Sequence, residues 1–133
     1  SPDYKPDDDE EFMNPMMREF FRQRLVEWKN ELLRESGQTL INMQSTSSQE
    51  ADIADRASLE SERSLELRTR DRERKLISKI DAALRRIEAG DYGYCEDTGE
   101  PISVNRLIAR PIATLSIEAQ ERHERMEKTH RDN

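Results

Sequence analysis

The sequence predicts an all-α protein: a long antiparallel helical hairpin of the coiled-coil type, followed by a small irregular lobe and a C-terminal helix. Three observations lead to this fold class. Only 33% of the 133 residues are hydrophobic while 38% are charged, so a thick core is excluded and narrow helical seams are favoured. Two one-sided apolar stripes follow each other along the chain, and a run of serine and threonine separates them.

Residues 1–13 are dominated by the acidic run from Asp7 to Glu11, with Pro2 and Pro6 before it. Such a composition offers little to bury. We therefore predict a flexible acidic N-terminal tail.

The first long helix is predicted to begin at Asn14 and Pro15, because asparagine caps a helix and proline suits its first turn. The apolar stripe that follows has helical steps and reaches Met43. Its members are Phe21, Leu25, Trp28, Leu32, Leu40 and Met43. The serine and threonine residues at 45–48 favour a turn, so the tip of the hairpin is placed at about 44–57.

A second apolar stripe predicts the returning helix, which should end at Ala89 because Gly90 can adopt the left-handed conformation of a C-terminal cap. The stripe consists of Leu65, Thr69, Leu76, Ile80, Leu84 and Ile87. With a short polar connection, the two helices form an antiparallel hairpin over residues 14–90.

Residues 91–133 are predicted to form the lobe and the last helix. Ser116 offers an N-cap and Glu118 lies in the first turn, which places this helix at about 117–128. The lobe is expected to cohere by packing alone, through the side chains of Ile102, Leu107, Ile112 and Leu115 against Tyr92 and Tyr94.

The overall charge and the composition exclude several classes of function. A net charge of −7 and a pI near 5.0 argue against direct DNA binding, which depends on many Lys and Arg contacts to phosphate. One cysteine permits no internal disulfide, and neither a membrane span nor a signal peptide is recognisable. We expect a cytoplasmic protein without a membrane partner.

Asp52, Asp55 and Ala57 lie at the predicted tip. Helix capping is the simplest role for two acids at this position. Two solvent-exposed carboxylates lack the desolvated pocket that acid–base catalysis requires, and no phosphate loop or nucleophile set accompanies them, so we predict no enzymatic activity.

A row of cations follows the second helix in helical steps, which we call the basic stripe: Arg68, Arg72, Lys75, Lys79 and Arg86. From residue 63 to residue 86 there are nine basic and four acidic residues. The stripe can face phosphates or an acidic protein surface. Alternatively it is a solvated face neutralised by Glu66, Asp71, Glu73 and Asp81.

The lobe keeps the spacing of a four-ligand zinc finger but has lost its ligands. The four positions are occupied by Cys95, Thr98, Ser116 and Ala119. One thiolate cannot hold zinc in a structural site, and His123 and His130 are weak substitutes. We therefore predict a zinc-finger-like lobe without zinc, in which Cys95 can equally serve as a small buried hydrophobe.

Several segments, in order, carry a family resemblance over about residues 14–128. They are Asp52-x-x-Asp55-x-Ala57, Ser64 to Arg68, Arg70 to Ile77, Asp91 to Cys95, and Arg106 to Pro111. With these motifs the chain resembles the DksA/TraR family of bacterial transcription regulators, although the four-cysteine zinc finger of that family is missing.

The resemblance implies that the hairpin enters the secondary channel of RNA polymerase and alters promoter open-complex stability together with the nucleotide ppGpp, as in the stringent response. It assigns polymerase modulation to Asp52, Asp55 and Ala57, polymerase contact to Arg72 and Arg106, and ppGpp binding to Lys79 and Arg110. Gln120 stands where the family often has a lysine near the nucleotide, which leaves the strength of ppGpp binding open.

Two alternatives remain on the sequence. A secondary-channel transcript-cleavage factor would use the tip carboxylates to hold magnesium, but Arg56 beside them disfavours it. A structural coiled-coil interaction protein would self-associate through the seam, which is short and interrupted. We expect a monomer that partners RNA polymerase and ppGpp and carries no bound cofactor.

Overall fold

The computed structural model describes residues 3–47 and 53–132, with side chains described for 3–37 and 57–130. Four helices follow each other in the order α1 (Pro15–Ser47), α2 (Ile53–Ala89), α3 (Val104–Ala109) and α4 (Ile117–Asp132). Within the described residues there is no named strand, only an isolated antiparallel bridge between Tyr94 and Pro101. The predicted all-α fold is confirmed.

Helix α1 begins where the sequence predicts. The Asn14 side chain accepts a hydrogen bond from the Met17 backbone N–H at 3.0 Å, which satisfies one of the free donors of the first turn. The helix ends at Ser47 rather than at Met43. Serine and threonine cost a helix only a few tenths of a kcal/mol each, so they do not stop an established helix.

Helix α2 ends at the predicted residue. Gly90 has a φ of +81°, and two backbone hydrogen bonds close the last turn: Gly90 N–H to Ile87 at 3.2 Å and Asp91 N–H to Arg86 at 2.9 Å. These bonds satisfy carbonyl groups that the helix end leaves free.

The chain divides into two compact units, one made of Ser1–Leu25 with Ala82–Asn133 and the other of Val26–Asp81. The division falls within both long helices. The hairpin predicted over 14–90 is thus shared between the two units instead of forming a separate domain.

The second unit contains the parts of the two long helices between residues 26 and 81. Its helices run antiparallel, and the Lys29 ammonium group forms an ion pair with the Asp81 carboxylate at 2.7 Å. Leu32 of α1 and Ile80 of α2 are buried, as predicted.

The predicted seam of α2 is wrong toward the tip. Leu65 is 60% exposed and Thr69 is also exposed, whereas Glu66 is half-buried and Glu73 is only 7% exposed. Glu66, Glu73 and Ile80 are seven residues apart, which is the repeat of a coiled-coil seam. The prediction placed Leu65 in the seam because leucine is apolar. The stripe that faces α1 is instead the one that contains Glu66, Glu73 and Ile80.

The first unit contains the larger apolar core. Phe21 of α1 packs against Tyr92 with ring centroids 5.5 Å apart, and the Tyr92 hydroxyl donates to the Pro111 carbonyl at 2.8 Å. The buried hydrophobic side chains of this unit are Met17, Phe21, Leu25, Ala83, Ile87, Tyr92, Cys95, Ile102, Val104, Leu107, Ile112, Ala113 and Ala119.

The lobe packs partly as predicted. Ile102, Leu107, Ile112 and Tyr92 are buried, but Leu115 is only half-buried and Tyr94 is 40% exposed. The Tyr94 ring contacts the edge of Phe12 instead, with centroids 5.3 Å apart. The prediction considered only residues of the lobe, so it could not include this contact between Tyr94 and the N-terminal segment.

The N-terminal segment is not the mobile tail that its composition predicts. Pro6 is fully buried, and the Asp8 side chain accepts the N–H of Val104, the first residue of α3, at 3.0 Å. Tyr4 hydrogen-bonds Glu10 and stacks edge-on against Phe20. From the composition, all of the acids were expected to be solvated. Asp8 instead caps a helix, and apolar residues near it are buried.

Helix α4 starts after the predicted cap. The Ser116 hydroxyl accepts the N–H of Ala119 at 3.2 Å, and the helix runs to Asp132 rather than Lys128. Among the described helices, none is long and apolar enough to cross a membrane.

Candidate functional site

The tip residues are only partly described. Asp52 lies outside the described residues, and Asp55 belongs to α2 but its side chain lies outside the described ones. Ala57 is exposed on the first turns of α2. The predicted exposure of the two acids therefore stays a prediction.

The basic stripe is solvent-facing in the second unit. Its first four members, Arg68, Arg72, Lys75 and Lys79, are all exposed. Arg86 belongs to the first unit, where it is half-buried and its charge lowers the pKa of Tyr92 against the larger effect of burial, which raises it. The four exposed cations form a continuous positive face along α2.

The acids expected to neutralise this face are mostly engaged elsewhere. Asp81 pairs with Lys29 on the other helix, and Glu73 is buried in the seam. One carboxylate oxygen of Glu66 is also buried and has no hydrogen-bond partner. Among the side chains that the structure describes, no ion pair involves the first four cations of the stripe. Their charge is available to a partner.

Cys95 is the one cysteine at the four ligand positions of the zinc-finger pattern. Its thiol is buried and accepts the N–H of Ser116 at 3.4 Å, with the Ser116 hydroxyl at 3.7 Å. Burial raises the pKa of the thiol, but hydrogen bonds from Ser116, Thr98 and the backbone of Asp97 outweigh burial and lower that pKa to about 6. These hydrogen bonds favour the thiolate form of Cys95.

The other three zinc positions still surround Cys95 but offer no ligand set. Thr98 hydrogen-bonds the thiol, Ser116 bridges it to α4, and Ala119 is fully buried with its N–H bonded to the Ser116 hydroxyl. Two hydroxyls and a methyl group do not fit zinc, which binds thiolates and imidazoles in structural sites. No cluster of three or more potential ligands occurs among the described residues.

His123 does not substitute for a ligand. Its Nε2 atom lies 2.8 Å from a carboxylate oxygen of Asp97, so the ring joins α4 to the lobe on the surface. His130 is exposed on α4. The hydrogen bonds of Cys95, together with this pair, connect the lobe to α4.

Arg106 lies in the last turn of α3, and Arg110 is the C-terminal cap of that helix. The Arg106 guanidinium donates to the Leu115 carbonyl at 2.8 Å and lines a cleft of about 470 Å³ that also includes Arg122, Glu100 and Glu118. Arg110 is exposed after the last turn, where its N–H donates to the Arg106 carbonyl at 2.7 Å. The cleft carries both signs of charge and is not a simple anion site.

The two residues that the resemblance assigns to ppGpp belong to different units, Lys79 to the second and Arg110 to the first. Both are exposed. Gln120 is half-buried on α4 and donates to Glu124 at 3.2 Å, so it is part of a local pair.

Two family profiles match the chain. Residues 17–87 match "DnaK suppressor protein DksA, N-terminal domain", and residues 90–125 match "Prokaryotic dksA/traR C4-type zinc finger". The first profile alone covers more than half of the chain. The chain belongs to the DksA family.

Similar proteins agree with this assignment. The chain is 63% identical over 130 residues to an RNA polymerase-binding transcription factor DksA of Caulobacter vibrioides, covering 98% of this chain and 92% of that one. It is 45% identical over 125 residues to its counterpart in Escherichia coli strain K12, covering 94% and 83%. The solved DksA2 of Pseudomonas aeruginosa superposes with a TM-score of 0.83 at 42% identity, covering 93% and 94%.

Within the DksA family this chain departs at the zinc finger. The matched profile describes a four-cysteine finger, whereas three of the four ligand positions here hold Thr98, Ser116 and Ala119. In this chain, hydrogen bonds join Cys95 to Ser116, another of the four positions.

Sequence reasoning missed two residues that shape the site. Glu73 was treated as a neutralising surface acid, and Asp8 as part of a solvated tail. The seven-residue spacing from Glu66 through Glu73 to Ile80 could have identified the first. Nothing local could have identified the second, since its partner is 96 residues away.

Proposed function

We propose that this chain binds RNA polymerase and regulates transcription initiation without catalysing a reaction itself. The observation that carries the proposal is the 63% identity, over 98% of the chain, to a relative named an RNA polymerase-binding transcription factor. The chain acts as a monomer in the cytoplasm, and its hairpin enters the secondary channel of the polymerase.

The charges of α2 support this mode of binding. A positive face with no internal partners among the described side chains is suited to an acidic protein surface, and electrostatic complementarity of this kind speeds and orients association. Arg72 contacts the polymerase from the second unit, and Arg106 contacts it from the first. The low pI of the whole chain disfavours direct contact with DNA.

The tip adjusts the stability of the promoter open complex. Asp52, Asp55 and Ala57 contribute no affinity of their own but change the behaviour of the polymerase near its active centre. The nucleotide ppGpp binds at the interface with the polymerase and contacts Lys79 and Arg110, because ammonium and guanidinium groups recognise phosphate. Gln120 contributes no charge there, so the nucleotide effect is weaker than with a lysine at this position.

Co-purification with RNA polymerase, followed by transcription from a ribosomal promoter with and without ppGpp, tests the proposal. We expect the wild type to lower promoter output, and ppGpp to enhance the effect. Asp55→Asn and Ala57→Thr should abolish regulation while polymerase binding persists, and Glu60→Gln, a change of an exposed acid farther along α2, should retain both.

Absence of polymerase binding by the wild type would overturn the proposal. A second assay tests the non-enzymatic part: addition to a backtracked polymerase should not shorten the RNA. Shortened transcripts would instead identify a cleavage factor that uses the tip carboxylates.

A further inference from the structure

The side chains of α2 near the tip are arranged in the opposite way from a simple coiled coil. Leu65 is 60% exposed, while the next residue, Glu66, buries a carboxylate oxygen that has no hydrogen-bond partner. One heptad later Glu73, only 7% exposed, again buries an unpartnered oxygen in the seam. The leucine is mostly exposed, whereas one oxygen of each glutamate carboxylate is buried.

This arrangement costs the hairpin stability. Burial of a leucine side chain stabilises a fold, whereas an unpartnered buried carboxylate oxygen destabilises it. A single exposed leucine is ordinary on a protein surface. An exposed leucine beside a glutamate with a buried oxygen is not ordinary, because exchanging Leu65 and Glu66 would favour folding. The arrangement therefore serves something other than folding of the free chain.

Leu65 also extends the basic stripe. From Leu65 to Arg68, Arg72, Lys75 and Lys79 the steps are three, four, three and four, so all five side chains lie along one face of α2. At 1.5 Å per residue this face is about 21 Å long. An apolar side chain at the tipward end of four cations is a mixed surface, and its complement is an acidic surface that ends in an apolar recess.

We propose that Leu65 is the apolar anchor of the α2 docking face and inserts into a hydrophobic recess of RNA polymerase that lies next to acidic residues. This inference rests on the proposed function, since it names how the same partner is held. The cations orient the approach, and desolvation of Leu65 stabilises the bound state. A few fully desolvated side chains contribute most of the binding energy in protein interfaces, and electrostatic complementarity mainly orients and speeds association.

The chain supplies a matched control for the anchor. Leu67 is also a leucine of α2 and is 47% exposed, but it lies about 200° around the helix from Leu65 and off the stripe. Leu65→Ala and Leu67→Ala remove the same atoms from the same turn. Both side chains are exposed and alanine favours helices, so neither substitution unfolds the hairpin.

Competition binding provides the test. Unlabelled full-length variants displace a labelled wild-type chain from RNA polymerase of the source bacterium, at several salt concentrations. We expect Leu65→Ala to weaken binding about tenfold, Leu65→Met to stay within about threefold of the wild type, and Leu67→Ala within about twofold.

The salt dependence separates the anchor from the cations. Leu65→Ala should leave the dependence of affinity on salt unchanged, because it removes no charge, whereas Arg68→Ala with Lys75→Ala should reduce it. If the wild type binds polymerase and the Leu65→Ala and Leu67→Ala variants have equal affinities, Leu65 is not the anchor, whereas the proposed function stands. A wild type that does not bind polymerase would overturn the proposed function and the anchor with it.

Discussion

The thiol of Cys95 is held by hydrogen bonds at one of the four ligand positions of the zinc-finger pattern. Its sulfur accepts hydrogen bonds from Ser116 and Thr98, which join the lobe to the start of α4. In a zinc finger the cation stabilises thiolates at this place. In this chain, hydrogen-bond donors around Cys95 favour the charged form of its thiol.

The stability of the folded chain should therefore depend on pH through Cys95. The pKa of the thiol is about 6 in the folded chain and about 8.5 when unfolded, so the folded state binds fewer protons in between. This contribution is absent below about pH 6 and grows as the pH rises to about 8.5. Urea unfolding of the wild type and of Cys95→Ser at several pH values measures it.

The difference in unfolding free energy between wild type and Cys95→Ser should increase with pH across this window. A difference that stays constant from pH 6 to pH 8.5 would show that the thiol is not stabilised as an anion.

Gly93 is a residue for which both conformation and contact exclude a side chain. Its φ is +93°, and a Cβ atom would lie 2.9 Å from the Phe12 ring of the N-terminal segment. Gly90 has a similar φ of +81° but open space around it. Comparing a substitution at Gly93 with one at Gly90 therefore separates the cost of a steric clash from the cost of backbone strain.

We expect Gly93→Ala to destabilise the chain by about 3 kcal/mol and Gly90→Ala by about 1 kcal/mol, because only the first adds a clash to the unfavourable φ. Thermal and urea denaturation measure both values. In a Phe12→Ala background the extra cost at Gly93 should largely vanish. If it persists there, the N-terminal segment does not pack against the lobe as described.

Helix α2 has residues in its seam that lower the stability of the hairpin and residues on its exposed face that make this face positive. Its seam carries Glu66 and Glu73 where apolar residues would pack better, while the four exposed cations of the basic stripe form no ion pair among the described side chains. In antiparallel helices held by a narrow seam, each seam position contributes a large share of the stability.

Glu73→Leu should raise the unfolding free energy by about 2 kcal/mol, because it replaces a buried unpartnered carboxylate by an apolar side chain. Urea unfolding at neutral pH, followed by helical circular dichroism, measures the change. Glu60→Leu, at an exposed position of the same helix, should change it by less than about 0.5 kcal/mol. A lower midpoint for Glu73→Leu would show that the carboxylate is paired in solution.

At the scale of the whole molecule, the first unit is assembled from distant parts of the chain. The N-terminal segment, the base of α1, the end of α2, the lobe and α4 all contribute to it. Asp8 on Val104 and Phe12 on Tyr94 connect residues more than eighty positions apart. The N-terminal segment thus packs on the lobe and helps to hold it.

The lobe should regain a metal site when its ligands are restored. Thr98→Cys, Ser116→Cys and Ala119→Cys place three thiols around Cys95 at positions that hydrogen bonds already bring together. We expect the triple variant to bind one zinc ion per chain and to melt at a higher temperature, because metal binding adds to folding free energy. Metal analysis and thermal melting with and without a chelator measure this.

The wild type serves as the control. It should purify without stoichiometric zinc, and a chelator should leave its melting temperature unchanged. Zinc in the wild type at one ion per chain would contradict the assignment of a metal-free lobe.

Local signals in the sequence determined the helices of this protein. The Asn14 cap, the stop at Gly90 and the Ser116 cap each satisfy or end a backbone pattern within a few residues, so they can be read without knowing the rest of the fold. The motifs that show the family are local in the same sense. The fold class and the position of the basic stripe followed from these signals alone.

Only the tertiary structure decided which stripe of α2 is buried and where the N-terminal segment lies. An amphipathic pattern identifies helical faces, but burial of Glu73 and exposure of Leu65 depend on where α1 packs. The segment from Tyr4 to Phe12 is acidic by composition, yet it is held by partners in the lobe that follow it by about ninety residues. A side chain is buried only when a second surface packs against it, and a local sequence pattern describes only one of the two surfaces.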